Sequence, residues 1–114
     1  MLRKINRLAR HAAVVAVLRQ GVRYRVAMLT VRWRRTERPY SRFAFTVPNT
    51  VSNRATRRNR IRRQLRELVR ALLPRIAPGV DVMVTVHPGR DRYGTAALAE
   101  ALTACLRRAR LLRL

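Results

Sequence analysis

The sequence predicts an α+β fold, an α/β sandwich in which three helices pack on one small mixed sheet of three to four strands, in the order αβββαβα. Three observations predict it. Apolar residues recur at helical spacing in three segments, and they alternate with polar residues in the segments between them. A long helical segment also separates two strand segments, which favours a parallel βαβ unit. The length of 114 residues fits a single domain over residues 1–114.

The first half of the chain contains one helical segment and two β-rich segments. Residues 1–6 are expected to form a flexible arm. Residues 11–20 predict a short helix, which Gly21 is expected to end in the left-handed conformation. Residues 22–34 are β-rich and begin with apolar residues that alternate with arginines, which is typical of one strand or two with a solvated face. Residues 41–47 predict a further strand, which Pro48 ends.

A long helix is predicted over residues 52–73, with Ser52 or Asn53 as its N-cap and Pro74 at its end. The apolar residues of this segment recur at the spacing of one helix face. They are Ile61, Leu65, Leu68, Val69 and Leu72.

The last third of the chain predicts a strand, a loop and a helix. Alternating valines predict the strand over residues 80–87, and residues 87–94 predict the loop. The helix is predicted over residues 95–112, with Thr95 as its N-cap. Its inward residues are expected to be Leu98, Leu102, Cys105, Ala109 and Leu112.

The charge of the chain points to a polyanionic partner. Lys and Arg total 27 and Asp and Glu total 5, so the formal net charge is +22. Self-repulsion of this size opposes compact folding, and nucleic acid is the first candidate for the anion that relieves it. The single cysteine excludes an internal disulfide, and no apolar run is long enough to span a bilayer. No signal peptide is recognised, so we expect a cytoplasmic protein without a membrane partner.

The strongest signal lies in the long predicted helix, where residues 54–70 include eight arginines. One group lies opposite the apolar stripe and consists of Asn59, Arg63, Arg66 and Arg70, flanked by Arg60 and Arg62. A second group lies at the azimuth of the stripe itself and consists of Arg54, Arg57 and Arg58. Unpaired charges cannot be buried in a core, and cations are disfavoured at the positive end of a helix. We therefore expect the helix start to project beyond the core and bind nucleic acid, with a merely solvated face as the alternative.

This helix resembles the signature of the bacterial ribonuclease P protein subunit. The matching residues, without a gap, are Ala55, Arg58, Asn59, Arg60, Ile61, Arg62, Arg63, Leu65 and Arg66. The strand over residues 42–47 and the opening Arg7-Leu8, followed by a helix that ends at Gly21, also resemble the family. The resemblance thus covers nearly the whole chain, and its Arg-Asn-Arg stretch is the specific part.

The resemblance implies an RNA-based endonuclease. In this family the RNA subunit hydrolyses one phosphodiester of precursor tRNA and frees the mature 5′ end, with Mg²⁺ held by the RNA subunit and substrate and not by a protein metal site. The implied partners are the catalytic RNA and precursor tRNA, and no protein partner is required. The implied fold is ribosomal-protein-S5-domain-2-like, with a left-handed βαβ crossover that departs from the usual hand.

The resemblance also implies two binding surfaces on the protein. The residues expected to bind the RNA subunit are Arg54, Arg57, Arg58, Asn59, Arg60, Arg62, Arg63 and Arg66. A cleft between the first helix and the sheet is expected to bind the single-stranded leader through Val14, Leu18, Tyr24, Arg32, Phe43 and Phe45, with Trp33 as a further aromatic near it.

The sequence departs from the family at both surfaces. Family members often carry lysines where Asn49 and Thr50 stand, and phenylalanines where Val14 and Leu18 stand. Without those phenylalanines, base stacking in the cleft is expected to be reduced.

No catalytic residues are expected in the protein itself. The carboxylates show no paired or metal-binding spacing, and they are Glu37, Glu67, Asp81, Asp91 and Glu100. His11 and His87 likewise lack a ligand partner at metal-binding spacing, and Cys105 lies on an apolar helix face, as a core residue does.

Two other interpretations stay open at this point. A structural RNA-binding protein of ribosomal type fits the composition equally well. A DNA-binding regulator fits less well, because the long helix packs a full apolar stripe and offers mainly phosphate-binding side chains.

Overall fold

The computed structural model describes residues 2–88 and 94–113, and within them it contains three helices and four strands in the order αβββαβα. The helices are α1 (His11–Gln20), α2 (Ala55–Leu72) and α3 (Thr95–Arg108). The strands are β1 (Val22–Val26), β2 (Leu29–Arg35), β3 (Arg42–Thr46) and β4 (Val80–Val86). Short 3₁₀ turns occur at Lys4–Asn6 and Leu73–Arg75. The predicted α+β class and element order are confirmed.

The four strands form one mixed sheet in the order β1-β2-β4-β3. β1 and β2 are an antiparallel hairpin, and β2 is also antiparallel to β4. The β-rich segment 22–34 therefore forms two strands, which reverse at Ala27 and Met28, where Ala27 has a φ of 52°. β3 and β4 are parallel and adjacent, with α2 between them in the chain, which confirms the βαβ unit. The left hand of this crossover stays a prediction.

The two faces of the sheet are covered differently. One face packs against α2 and α3 through the main core, which includes Val31, Phe43, Val82 and Leu102. The other face meets only α1 among the described helices, through a small cluster of Leu8, Val17 and Met83. Since α1 contacts β2 and β4, the outer strand β1 is left open on this second face.

α2 begins later than the sequence predicts. Its N-cap is Arg54, which makes no side-chain capping bond, and helical residues begin at Ala55. Ser52 Oγ instead accepts a hydrogen bond of 3.2 Å from the Arg54 amide, ahead of the helix, so the prediction of Ser52 or Asn53 as N-cap is wrong. At the far end Pro74 lies in the 3₁₀ turn that follows the helix, as its fixed φ allows.

α3 is shorter than predicted at its end. Gly94 is the N-cap and Thr95 is the first helical residue, which corrects the prediction of Thr95 as the cap. After Arg108 the chain leaves the helix through Arg110, which has a φ of 59°, and the Leu111 amide donates to the Leu106 carbonyl at 2.9 Å. This Schellman-type ending buries Leu111 completely.

The side chains of α3 otherwise face inward as predicted. Leu98, Leu102, Cys105 and Ala109 are buried, whereas Leu112 is only partly buried because the chain has already turned. Residues 89–93 of the predicted loop 87–94 lie outside the described residues.

Gly21 ends α1 for a reason other than the predicted one. Its φ is −74°, so the left-handed conformation is absent. A Cβ at this position would clash with the Val17 carbonyl oxygen and lie 3.0 Å from the Trp33 carbonyl oxygen. Glycine is needed here because the helix end and β2 approach each other closely.

The first residues are folded against the sheet, where the sequence predicts a flexible arm. Leu2 is buried in the main core, and the Asn6 side chain donates a hydrogen bond of 2.8 Å to the Ser41 carbonyl. The Leu8 amide donates to the Phe43 carbonyl at 2.8 Å, so this segment runs along the outer edge of β3. It covers the free edge of the sheet.

Candidate nucleic-acid interface

The start of α2 projects beyond the core. Ile61 is the first buried residue of the helix, followed by Leu65 and Val69. The residues of the first turn, from Ala55 to Arg57, are exposed, and so is the N-cap Arg54. The arginines that share the azimuth of the apolar stripe thus precede the first buried residue of the helix and are not part of the core.

The arginines of α2 divide into those with a partner in the protein and those without. Arg58 donates to the Ser52 carbonyl at 2.9 Å, and Arg62 donates to Asn59 Oδ1 at 2.6 Å. Arg70 forms an exposed ion pair of 3.0 Å with Glu67. The remaining five have no partner among the described residues, and they are Arg54, Arg57, Arg60, Arg63 and Arg66. Five guanidinium groups are therefore available to an external anion.

Three of these arginines line a groove between the beginnings of α2 and α3. The groove has a volume of about 640 Å³, and Arg54, Arg57 and Arg60 lie along it. Gln64 of α2 donates a hydrogen bond of 3.0 Å to the Thr95 hydroxyl of α3 and so joins the two helices beside it. Neither helix has an acidic residue in its first turn, and no side chain of the described residues caps either one. The described residues that line the groove thus include three arginines and no carboxylate, and the positive ends of both helices lie beside it.

A second basic surface lies on the sheet face beside α1. Arg23 and Arg32 are directly opposite each other in the β1–β2 register, and Arg25 is the next residue on the same side of β1. Like charges in this arrangement repel each other, and an anion between them removes the repulsion. Arg32 also donates a long hydrogen bond of 3.4 Å to the Leu18 carbonyl at the end of α1. We call Arg23, Arg25 and Arg32 the sheet-face arginines.

The six residues predicted to line one cleft are divided between the two faces of the sheet. Val14 and Leu18 lie on α1, where Val14 packs against the small cluster and Leu18 is 45 % exposed. Arg32 lies on this same face. Tyr24, Phe43 and Phe45 belong to the main core on the opposite face, so the prediction that all six line one cleft is wrong. Side chains alternate across a strand, and Arg32 therefore cannot share a face with residues that point toward α3.

Trp33 is also on the side of the main core. It packs against that core, and the Arg35 guanidinium lies 5.7 Å from the ring centroid. Its indole Nε1 is buried and has no hydrogen-bond partner among the residues that the structure describes. Arg23 and Arg25 are two candidate residues of this surface that are not among those predicted from the sequence. The alternation over residues 22–28 contained the necessary signal, because the solvated face of that strand is the one next to α1.

The described acidic and nucleophilic residues are dispersed. No group of three or more His, Cys, Asp or Glu comes together among them that could hold a metal ion, and Asp91 lies outside the described residues. Thr30 Oγ1 and His87 Nε2 are hydrogen-bonded at 2.5 Å. Cys105 is buried, and this burial raises the pKa of its thiol, so that it stays protonated. No helix among the described residues is long and apolar enough to cross a membrane.

Comparison with known proteins gives one family and one fold. Residues 2–110 match the family model described as Ribonuclease P. The structure is similar to the Staphylococcus aureus RNase P protein, with a TM-score of 0.85 and 21 % identity over 95 % of this chain and 98 % of that one. It is also similar to the Thermotoga maritima RNase P protein, with a TM-score of 0.77 and 25 % identity over 90 % of this chain and 96 % of that one. No curated protein matches the sequence significantly.

Proposed function

The chain belongs to the bacterial ribonuclease P protein family, and from this membership we propose that it acts as the protein subunit of an RNA-based endonuclease that removes the 5′ leader of precursor tRNA. In this proposal α2 binds the catalytic RNA, and the face of the sheet beside α1 binds the leader. The RNA subunit carries the hydrolysis.

The observation that carries this proposal is the set of arginines along α2 that have no partner in the described part of the chain. A guanidinium group is always charged and binds phosphate oxygens in a bidentate manner. Five such groups on one helix, beside a groove where two helices begin, suit the closely spaced phosphates of a folded RNA. Few other side chains of α2 can read base edges, so binding through this helix depends on the position of phosphates more than on sequence.

The leader surface is proposed to work mainly through charge. The sheet-face arginines and the exposed end of α1 at Leu18 form an open face next to β1. The aromatic residues of the four strands all pack into the opposite face, so they cannot stack on a leader base there. We therefore assign Arg23, Arg25 and Arg32 to the leader phosphates and exclude Tyr24, Phe43 and Phe45 from that role.

The Mg²⁺ ions of the reaction are proposed to be held by the RNA subunit and the substrate. The described residues contain no carboxylate group arranged to fit a metal ion, so no step of this proposal is assigned to a protein metal site. The contribution of the protein is to position two RNA molecules relative to each other. Correct positioning alone is a substantial part of catalysis.

The test is cleavage of precursor tRNA by a bacterial ribonuclease P RNA at low Mg²⁺, with and without this protein. Cleavage restored at the mature 5′ end supports the proposal. An Arg57→Gln/Arg60→Gln variant is expected to lose the rescue, whereas Arg107→Gln/Arg108→Gln, with the same loss of charge at the other end of α3, is expected to keep it. RNA binding by the protein without any rescue would contradict the proposal and favour a structural RNA-binding protein of ribosomal type.

A further inference from the structure

A third basic surface lies at the amino end and outer edge of β3, away from both surfaces described above. Four exposed cations surround Tyr40 there, and they are Lys4, Arg7, Arg10 and Arg38. We call these five residues the N-terminal basic surface. β3 and β4 are parallel, and α2 and α3 follow their carboxyl ends, so the N-terminal basic surface and the α2–α3 groove lie at opposite ends of the sheet. The seven residues of β4 separate them by about 20 Å.

The segment that carries these cations is fixed in place. Leu2 is anchored in the main core, Asn6 is bonded to Ser41, and Leu8 is bonded to Phe43. Arg7 Nε also donates to the Leu2 carbonyl at 3.3 Å. A ligand that binds here does not have to order this segment, so less binding free energy is lost to conformational entropy.

The surface combines an apolar base with a charged rim. A groove of about 410 Å³ runs between the N-terminal segment and Tyr40, and Ile5 in it is 53 % exposed. A second groove, of about 820 Å³, continues on the other side of Tyr40 along the loop at residues 34–40. Tyr40 therefore lies on the ridge between two grooves, where a flat ligand can contact its ring.

The cations of this surface have almost no acid to neutralise them. Residues 1–42 contain 12 Lys and Arg residues and one acidic residue, Glu37. Asp81 of β4 is buried, and its carboxylate accepts hydrogen bonds from Arg42 Nε and Nη2. Lys4, Arg10 and Arg38 have no side-chain partner among the described residues. Their charge is available to a ligand.

We propose that the N-terminal basic surface binds a segment of single-stranded RNA, independently of the α2 helix and of the sheet-face arginines. Phosphates contact Lys4, Arg7 and Arg10, and a base stacks on Tyr40 beside Ile5. An unpaired strand fits better than a duplex, because only an unpaired base exposes its face to a side chain. With binding surfaces at both ends of the sheet, one chain holds two RNA segments at a fixed separation.

The test is a titration of the isotope-labelled full chain with hexauridylate, followed by the amide resonances of the protein. Amides of residues 4–10 and of Tyr40 are expected to shift. In a Lys4→Gln/Arg10→Gln/Arg38→Gln variant the affinity read from these amides is expected to fall about tenfold at low salt. The matched control, Arg107→Gln/Arg108→Gln/Arg110→Gln, removes the same charge from exposed residues elsewhere and is expected to change it much less.

A second pair of variants tests the base contact. Tyr40→Leu is expected to weaken hexauridylate binding about fivefold or more, whereas Tyr40→Phe retains it, because the ring and not the hydroxyl stacks. The proposal would be overturned if the amide resonances of residues 4–10 did not shift, or if the two triple variants lost affinity equally. Tighter binding of an RNA duplex of the same length would also overturn it. Identical shifts with inorganic phosphate alone would also overturn it. Amides of α2 report separately on the proposed function, so failure of one proposal is distinguishable from failure of the other.

Discussion

Arg42 of β3 and Asp81 of β4 lie opposite each other in the parallel strand pair and form a buried bidentate ion pair. Arg42 Nε donates to Asp81 Oδ1 at 2.8 Å, and Arg42 Nη2 donates to Asp81 Oδ2 at 2.7 Å. These hydrogen bonds to the carboxylate raise the pKa of Arg42, although burial opposes the shift. Asp81 is also the residue opposite Arg34 of β2, so its carboxylate lies between one arginine on each neighbouring strand. The pair favours the observed register of the βαβ unit and neutralises a cation that is the most buried among the described residues.

Replacing Asp81 with Asn is expected to destabilise the fold strongly, because it leaves the Arg42 charge buried without a partner. The expected loss in the free energy of unfolding is about 3–5 kcal/mol. Urea unfolding measures it. Glu100→Gln is the matched control, since it removes an exposed carboxylate and is expected to change stability by less than about 0.5 kcal/mol. Equal losses in the two variants would show that the loss of negative charge, and not the buried pair, is responsible.

The Arg57→Gln/Arg60→Gln variant is expected to bind the ribonuclease P RNA more weakly and with a shallower salt dependence. Each phosphate contact that is lost reduces the slope of log affinity against log salt by about 0.7–0.9. Filter binding over a range of salt concentrations measures the slope, and circular dichroism checks that the fold is intact. Arg58 is unsuitable for this test because it bonds to the Ser52 carbonyl and so supports the start of α2. An unchanged slope would exclude Arg57 and Arg60 from phosphate contact.

An Arg23→Gln/Arg25→Gln variant is expected to raise KM for precursor tRNA with a long leader more than KM for a substrate with a very short one. Both arginines are exposed on β1 and face the side of α1, where the leader is proposed to lie. The fold is expected to be slightly more stable, because the repulsion between Arg23 and Arg32 disappears. Steady-state kinetics on the two substrates gives the ratio. A uniform change in KM would contradict a leader role for these residues.

The stability of the protein is expected to fall as the pH drops below the ordinary pKa of histidine. Burial, followed by the charges of Arg25 and Arg23, lowers the pKa of His87 in the folded state. Folding therefore favours neutral His87, and its contribution is complete above about pH 6.5 and decreases as the pH falls below that value. Thermal melts between about pH 7.5 and about pH 5.5 measure the effect. His87→Gln is expected to flatten this dependence, and an equal slope in the variant would assign it to other groups.

Much of the fold could be predicted from periodicity alone. The stripe of Ile61, Leu65 and Val69 correctly places α2 against the core, and the alternation at residues 80–86 correctly places β4. The ends of the helices are harder to predict. α1 ends at Gly21 because two backbone segments approach closely there, and α3 ends through the left-handed conformation of Arg110. Composition reveals neither feature.

The candidate site was predicted unevenly for a related reason. The arginines of α2 are local in sequence and helical geometry places them on one surface. The cleft instead depends on which face of each strand meets α1. Arg32 and Phe43 lie on opposite faces of the sheet. Tertiary packing decides which of these faces meets α1.

The topology of the sheet also bears on how fast its parts assemble. β1 and β2 close over two residues, and a hairpin of this kind forms within about 1–10 μs. Arg42 and Asp81 are 39 residues apart, so pairing of β4 with β3 closes a longer loop and has a larger entropic cost. β4 must also pair with β2 on its other side. We therefore expect insertion of β4 to be the slow step. The arginines of α2 lie in the loop that this step closes, so an RNA that binds them early would lower a kinetic barrier as well as stabilise the product.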